Sequence, residues 1–316
     1  MQLHIGVIRG GAGSGYEESL CSGAAVLSAL EGALVEREWQ AHDIFIDREG
    51  TWHRAGVARS QERSLRMLDV AVNALHGEGG EDGALARTLE SFGVVHTGTE
   101  ASSASALADR GRSRALAELS LVRIPRAYTI RGGEEARLTD ALGAAIFRTV
   151  SLPVLVRAKD STLVTPVFAG DALGLEVALR QVLLYSPATA VIVEEHIPGV
   201  RLAVGVLERF RNERLYILPL AETAPTSKVV CPARVKRAVK ESITEAARTL
   251  FGAFGLRHYA LFEFVASEGG IYFLDVRTLP ALSDGAPFSS ALEAVGVEIR
   301  EFTEHLISLA LARRRA

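Results

Sequence analysis

The sequence predicts an α/β protein of two or three packed subdomains, with a parallel sheet in its first third. Three observations carry that prediction. The chain has 316 residues, too many for one small core. Its first third repeats the order strand, loop, helix, which makes βαβ units and hence parallel strands. Its last third instead holds two apolar runs, Tyr259–Val265 and Ile271–Val276, joined by Ser267-Glu268-Gly269-Gly270. That is the pattern of an antiparallel hairpin.

Each element follows in order. Leu3–Ile8 is an apolar strand that ends in the loop Gly10-Gly11-Ala12-Gly13-Ser14-Gly15, before a helical pattern over Ser19–Leu30. A second strand, Asp43–Ile46, runs into the turn Asp47-Arg48-Glu49-Gly50. A third, Leu68–Leu75, exits into His76-Gly77-Glu78-Gly79-Gly80-Glu81-Asp82-Gly83, and the helix after it spaces Leu85, Leu89 and Phe92 for one buried face. In parallel sheets ligands sit beyond the carboxyl ends of the strands, where both glycine-rich loops fall. The middle section contains a buried strand, Leu152–Arg157, a hairpin-like segment, Asp160–Phe168, and a helix that Asp171 caps and that runs to about Leu184. Strands over Val191–Glu195, Leu202–Phe210 and Leu215–Leu218 come next, with turn chemistry at Arg211-Asn212-Glu213. A helix over Val235–Phe254 stops at Gly255, and two helices, near Ser289–Val295 and Glu298–Ala312, follow the hairpin.

Composition bounds the function classes. Apolar residues make up 48% and charged residues 23%, as in an ordinary globular protein. A net charge of −3 gives no reason to expect nucleic acid or an anionic membrane as partner. Arg313-Arg314-Arg315 is expected to be a solvated helix end. Cys21 and Cys231 form neither a disulfide framework nor a metal-type spacing. With no targeting pattern at the first residues and no run near the ~18 apolar residues that span a bilayer, the expected location is cytoplasmic.

The candidate site residues are charges in places where charge needs a reason. Glu263 lies between Phe262 and Phe264, and Asp275 and Arg277 lie two apart in Phe273-Leu274-Asp275-Val276-Arg277. A charge in an apolar strand is costly unless it is paired or binds a metal. Glu263 and Asp275 on adjacent strands could hold Mg²⁺ through hard oxygen ligands, or could pair with Arg277 on a solvated face. His76, at a strand exit among glycines, can contact a small ligand or be structural. Arg110 and Arg157 are candidates for polyphosphate contact. Arg157 ends a buried strand, where it needs an anionic partner, whereas Arg110 shares a run with Arg112 and Arg114 that also reads as a solvated helix face. In Val193-Glu194-Glu195-His196-Ile197 a strand edge could bond a nucleobase, or the two acids could simply lie at the surface.

Taken together, these segments resemble the D-alanine–D-alanine ligase family of the ATP-grasp superfamily over essentially the whole chain. The matching pieces include Gly10-Gly11, Ser19-Leu20, Ser22–Leu27, Asn73–Gly77, Gly80–Gly83, Thr97-Gly98, Val193–Glu195, Cys231-Pro232-Ala233, Asp275-Val276 and Thr278-Leu279-Pro280. The resemblance implies an ATP-grasp fold with an N-terminal parallel-sheet (Rossmann-like) substrate domain over 1–98. A small central α+β domain would occupy 99–190, and an antiparallel-sheet catalytic domain 191–316. It implies an ATP- and Mg²⁺-dependent ligase that phosphorylates one D-alanine carboxylate and lets the amine of a second attack the acyl phosphate, for peptidoglycan synthesis. A homodimer is the expected assembly. His76 would serve the substrate, Arg110 and Arg157 the phosphates, Glu194, Glu195 and Ile197 the adenine, and Glu263 and Asp275 the metal.

The same comparison exposes departures. Arg277 stands where the family has a metal-binding asparagine, and Arg201 where it has a ribose-binding glutamate. Gly15 and Leu261 stand where it has a substrate-binding glutamate and arginine, and Ala281 and Ala286 where it has glycine and serine. Lys159–Leu163 is a shortened lid loop, and Ala221–Lys228 a reduced mobile loop. These departures leave a second expectation open, a family member that binds nucleotide or a partner without ligating D-alanine.

Overall fold

The structure, a computed structural model, describes residues 2–130, 140–158, 166–185, 190–224 and 227–313. The expected lid segment at Lys159–Leu163, most of the hairpin-like Asp160–Phe168 and the last two arginines of the C-terminal run lie outside the described residues.

The first unit is β1 (Leu3–Gly10), α1 (Tyr16–Arg37), β2 (Trp39–Ile46), β3 (Trp52–Arg54), β4 (Val57–Arg59), α2 (Gln61–Leu65), β5 (Val70–Asn73), α3 (Ala84–Ser91) and β6 (Val95–His96). Its sheet runs β4-β3-β2-β1-β5-β6, with β2, β1, β5 and β6 parallel and β3 and β4 an antiparallel extension. Alternation explains its two cores. Ile5, Val7, Val70 and Val72 face α1 and the last helix of the chain, whereas Ile8, Ile44 and Ala71 face Leu65, Leu85 and Leu89. Covering both faces is what a parallel sheet needs. One expectation fails here. Phe92 is 44% exposed and caps the end of α3, and Ala86 takes its place in the core.

Next come α4 (Ala101–Ala108), α5 (Arg110–Leu119), β7 (Ala127–Ile130), α6 (Asp140–Thr149), β8 (Val154–Ala158), β9 (Val167–Ala169), α7 (Ala172–Tyr185) and β10 (Val191–Glu195). The antiparallel sheet β7-β10-β8-β9 buries Val154, Val156 and Val193 against Ile146 of α6 and Leu175, Ala178 and Val182 of α7. Asp171 caps α7 through the Gly174 N–H at 2.7 Å. Because β10 is hydrogen-bonded to β7 on one side and β8 on the other, it is an inner strand, not the edge expected from sequence. It also belongs by pairing to this middle sheet.

The remaining elements are β11 (Val200–Glu208), β12 (Leu215–Ile217), β13 (Ala221–Ala224), β14 (Ser227–Val230), α8 (Arg237–Ala253), β15 (Tyr259–Ser267), β16 (Gly270–Arg277), α9 (Pro287–Glu293) and α10 (Ile299–Arg313). The sheet order is β14-β13-β11-β15-β16, with β12 beside β11. One face packs on α8, where Phe262, Phe264 and Phe273 meet Phe254 and Leu250. Helices α4 and α5 add Leu107 and Ala117 to this core, so they pack with the C-terminal sheet although they precede the middle one in sequence. Gly255 ends α8 with φ +61.

The β15–β16 hairpin carries one irregularity that matters. Glu263 pairs with Asp275, and the next pair is Phe264 with Phe273, so Leu274 is an extra residue in a β-bulge. Strict alternation would put Phe273 and Asp275 on the same face. The bulge lets Phe273 enter the α8 core while Asp275 faces the other way, opposite Glu263.

Candidate functional site

The three sheets converge on a cavity of about 780 Å³. Every expected site residue except His76 lines it. Arg110 comes from the first residue of α5, Arg157 from β8, Glu194, Glu195 and Ile197 from β10 and the residues after it, and Glu263 and Asp275 from the hairpin. Glu81, Arg201, Leu274, Arg277 and Thr278 line it too.

The hairpin wall is an alternating set of charges. Glu263 and Asp275 lie directly opposite each other, and burial together with the facing Asp275 pushes the Glu263 carboxyl up. Asp275 is ion-paired to Arg110, while its other oxygen accepts the Val276 N–H at 2.9 Å. Arg277 reaches Glu81 at 3.4 Å and Glu263 at 3.8 Å. The anticipated salt-bridge pairing is therefore half right, because Arg277 holds Glu263 and Glu81 whereas Asp275 goes to Arg110. Glu81 accepts the Gly77 N–H at 3.2 Å, and burial raises its carboxyl.

Arg157 and Glu194 line another part of the cavity, and Arg114 stands behind them, outside its lining. Glu194, 2% exposed, is 2.5 Å from Arg114 and 3.3 Å from Arg157. The acid anticipated as a surface group at a strand end is thus deeply buried. Arg114, grouped by sequence with a solvated helix face, is 5% exposed. Burial lowers the Arg157 guanidinium to about 10, against the opposing pull of Glu194. Arg114 Nη2 is taken by Glu194, whereas Arg114 Nε and Nη1 and Arg157 Nε have no hydrogen-bond partner among the described residues. Of the two buried cations that share this carboxylate, Arg157 lines the cavity with its Nε unspent, which suits an incoming polyanion. At the end of β10 the N–H groups of Glu195 and His196 are spent on the carbonyls of Arg126 and Pro153.

His76 stands behind the cavity. Its Nδ1 is 2.9 Å from the Leu279 carbonyl, which can only accept, so Nδ1 carries the proton. Nε2 then accepts the Ser22 hydroxyl at 2.8 Å, and Ser22 Oγ accepts the Leu282 N–H at 3.0 Å. Burial holds the ring neutral by lowering its pKa. Both nitrogens are thus spent on tying the loop after β5 to the segment after β16. Gly15 packs against the same residue, since a Cβ there would come 2.5 Å from the His76 carbonyl oxygen. Leu261, 5% exposed, is a core residue.

Sequence reasoning missed Glu81 and Arg114 as site residues. Glu81 could have been found as an acid among the glycines of a strand exit. Arg114 carried no signal of its own, because only the fold brings it to Glu194.

Residues 122–308 match the family described as D-ala D-ala ligase C-terminus. The chain belongs to the D-alanine–D-alanine ligase family. It is 29% identical to a D-alanine–D-alanine ligase of Desulforudis audaxviator, with 99% of this chain and 100% of that protein covered. It is 27% identical to the ligase of Carboxydothermus hydrogenoformans over the same shares. Among solved structures it resembles the VanG D-Ala:D-Ser ligase of Enterococcus faecalis, with TM-score 0.83, 22% identity and coverage of 98% and 100%. It also resembles the D-alanine–D-alanine ligase of Bacillus anthracis complexed with ATP, with TM-score 0.80, 20% identity and coverage of 99% and 98%. These likenesses give the three-sheet arrangement its name, the ATP-grasp fold. No described helix is long and apolar enough to cross a membrane.

Proposed function

We propose that this chain is an ATP-dependent carboxylate–amine ligase that joins two D-alanines for peptidoglycan synthesis. The single observation that carries the proposal is the cavity, whose lining combines the guanidiniums of Arg110 and Arg157 with a pair of directly opposed carboxylates, Glu263 and Asp275. Full-length likeness to named ligases favours ligation over binding alone.

In this reading Arg110 and Arg157 neutralise the phosphates, with Arg114 fixing Arg157 through the shared Glu194. Ile197 and Leu274 supply apolar surface for the adenine, beside the end of β10. Glu263 and Asp275 are hard oxygen donors suited to one Mg²⁺ whose other ligands are phosphate oxygens and water. When bound, such an ion would neutralise phosphate charge. The γ-phosphoryl group passes to one carboxylate, ADP leaves, and the second substrate's amine attacks the acyl carbon. Phosphate is expelled and the attacking nitrogen loses a proton. Water exclusion is required because an acyl phosphate hydrolyses. His76 serves as a positioning residue in this scheme, since it spends both nitrogens within the chain.

Strand pairing favours domains of 1–98, 99–195 and 196–316, with α4 and α5 docked on the third. The test is a thermal unfolding series with ATP and Mg²⁺. A midpoint that rises with ATP concentration supports nucleotide binding by linkage, and an unmoved midpoint at millimolar ATP refutes it.

A further inference from the structure

The hairpin wall holds more fixed positive charge than a carboxylate metal site ordinarily carries. Arg277 occupies the position next to Asp275 on the same face of β16 and clamps acids from two units, Glu81 of the first and Glu263 of the last. A guanidinium has five donors and no lone pair, so it cannot ligate an ion. Among the described residues no group of three His, Cys, Asp or Glu side chains is arranged to hold a metal. An ion at Glu263 and Asp275 would therefore complete its shell with phosphate oxygens and water. A second ion would sit beside Arg277, against its charge, and the further carboxylate there, Glu81, is already paired with that guanidinium. Arg277 remains 43% exposed on the cavity wall, and its two acids approach only Nη1 and Nε. Donors are left for a phosphate oxygen.

We propose that the Arg277 guanidinium replaces a second divalent cation, so that this chain binds ATP with one metal ion per site. The inference rests on the nucleotide reading above but makes a separate prediction, the number of ions. The arrangement makes chemical sense for a built-in cation, because its charge is supplied by the chain and held in register by Glu81 and Glu263 whether or not nucleotide is present. It also ties the first and last units together at the point where the transferring phosphate would lie.

The experiment counts Mn²⁺. The full chain is equilibrated by dialysis with Mn²⁺ and a saturating non-hydrolysable ATP analogue, and bound ions are counted from loss of the free-Mn²⁺ paramagnetic resonance signal. The expected result is one Mn²⁺ per chain for the wild type and for Arg277→Lys. Two are expected for Arg277→Asn, which removes the charge and offers an oxygen lone pair. Arg277→Gln serves the same purpose if the asparagine variant does not fold. Two ions on the wild type would overturn the proposal, as would one ion on a folded, analogue-bound Arg277→Asn. A wild type that binds no analogue would fail differently, by removing the nucleotide reading itself.

Discussion

Glu263 lies between two phenylalanines that enter the α8 core, so its own side chain points to the cavity, opposite Asp275. This much was legible in the sequence, because a lone acid in an aromatic strand needs a partner or a ligand. Arg157 was legible for the same reason, and its anion proves to be Glu194. Arg114 was not, since a charged residue in a run of arginines has a bland reading that only tertiary packing overturns. At this scale, Asp275→Ala removes an oxygen donor and frees Arg110, and Mg–nucleotide affinity should fall by ~10-fold or more. Calorimetric titration checks it, and an unchanged Kd would dismiss the metal assignment. Gly15→Ala places a methyl against the His76 backbone carbonyl and should destabilise the chain by about 1–3 kcal/mol. Urea unfolding measures this, and an unchanged midpoint would mean the two loops are not packed as described.

The parallel strands, the hairpin and most helices were readable from periodicity and turn residues. The bulge at Leu274 was not, because inserting one residue in a strand leaves no mark in composition. The short β3–β4 pair and the β13–β14 hairpin were missed for want of length to show alternation. Joints between elements were equally hidden. His258, 1% exposed with φ +60, precedes β15 and accepts the Gly98 N–H at 3.0 Å through Nδ1. Burial, aided by Arg313, His96, His305 and Arg257, lowers its pKa to about 3. Between that value and the ordinary ~6.5 the unfolded chain binds a proton that the folded chain does not. This contribution is therefore fully present above ~6.5 and is lost as pH falls toward 3. At pH 4.5 the loss is roughly 3 kcal/mol. His258→Asn, which tolerates the left-handed backbone and can still accept from Gly98, should lose less stability between pH 7.5 and 4.5 than the wild type. Equal losses in paired denaturant titrations would contradict this.

At the scale of the molecule, the cavity exists because three sheets meet. Sequence order hides that meeting, since α4 and α5 pack with a sheet formed a hundred residues later and α10 returns to cover the first sheet. No local pattern encodes it, and only the family resemblance made it foreseeable. The same meeting brings Glu81, Glu194 and Asp275, one from each sheet unit, to the wall of one cavity. The most direct test incubates the pure protein with ATP, Mg²⁺ and D-alanine and follows phosphate release together with dipeptide formation. The account predicts D-alanyl-D-alanine in step with phosphate. Saturable ATP binding with neither product would contradict it.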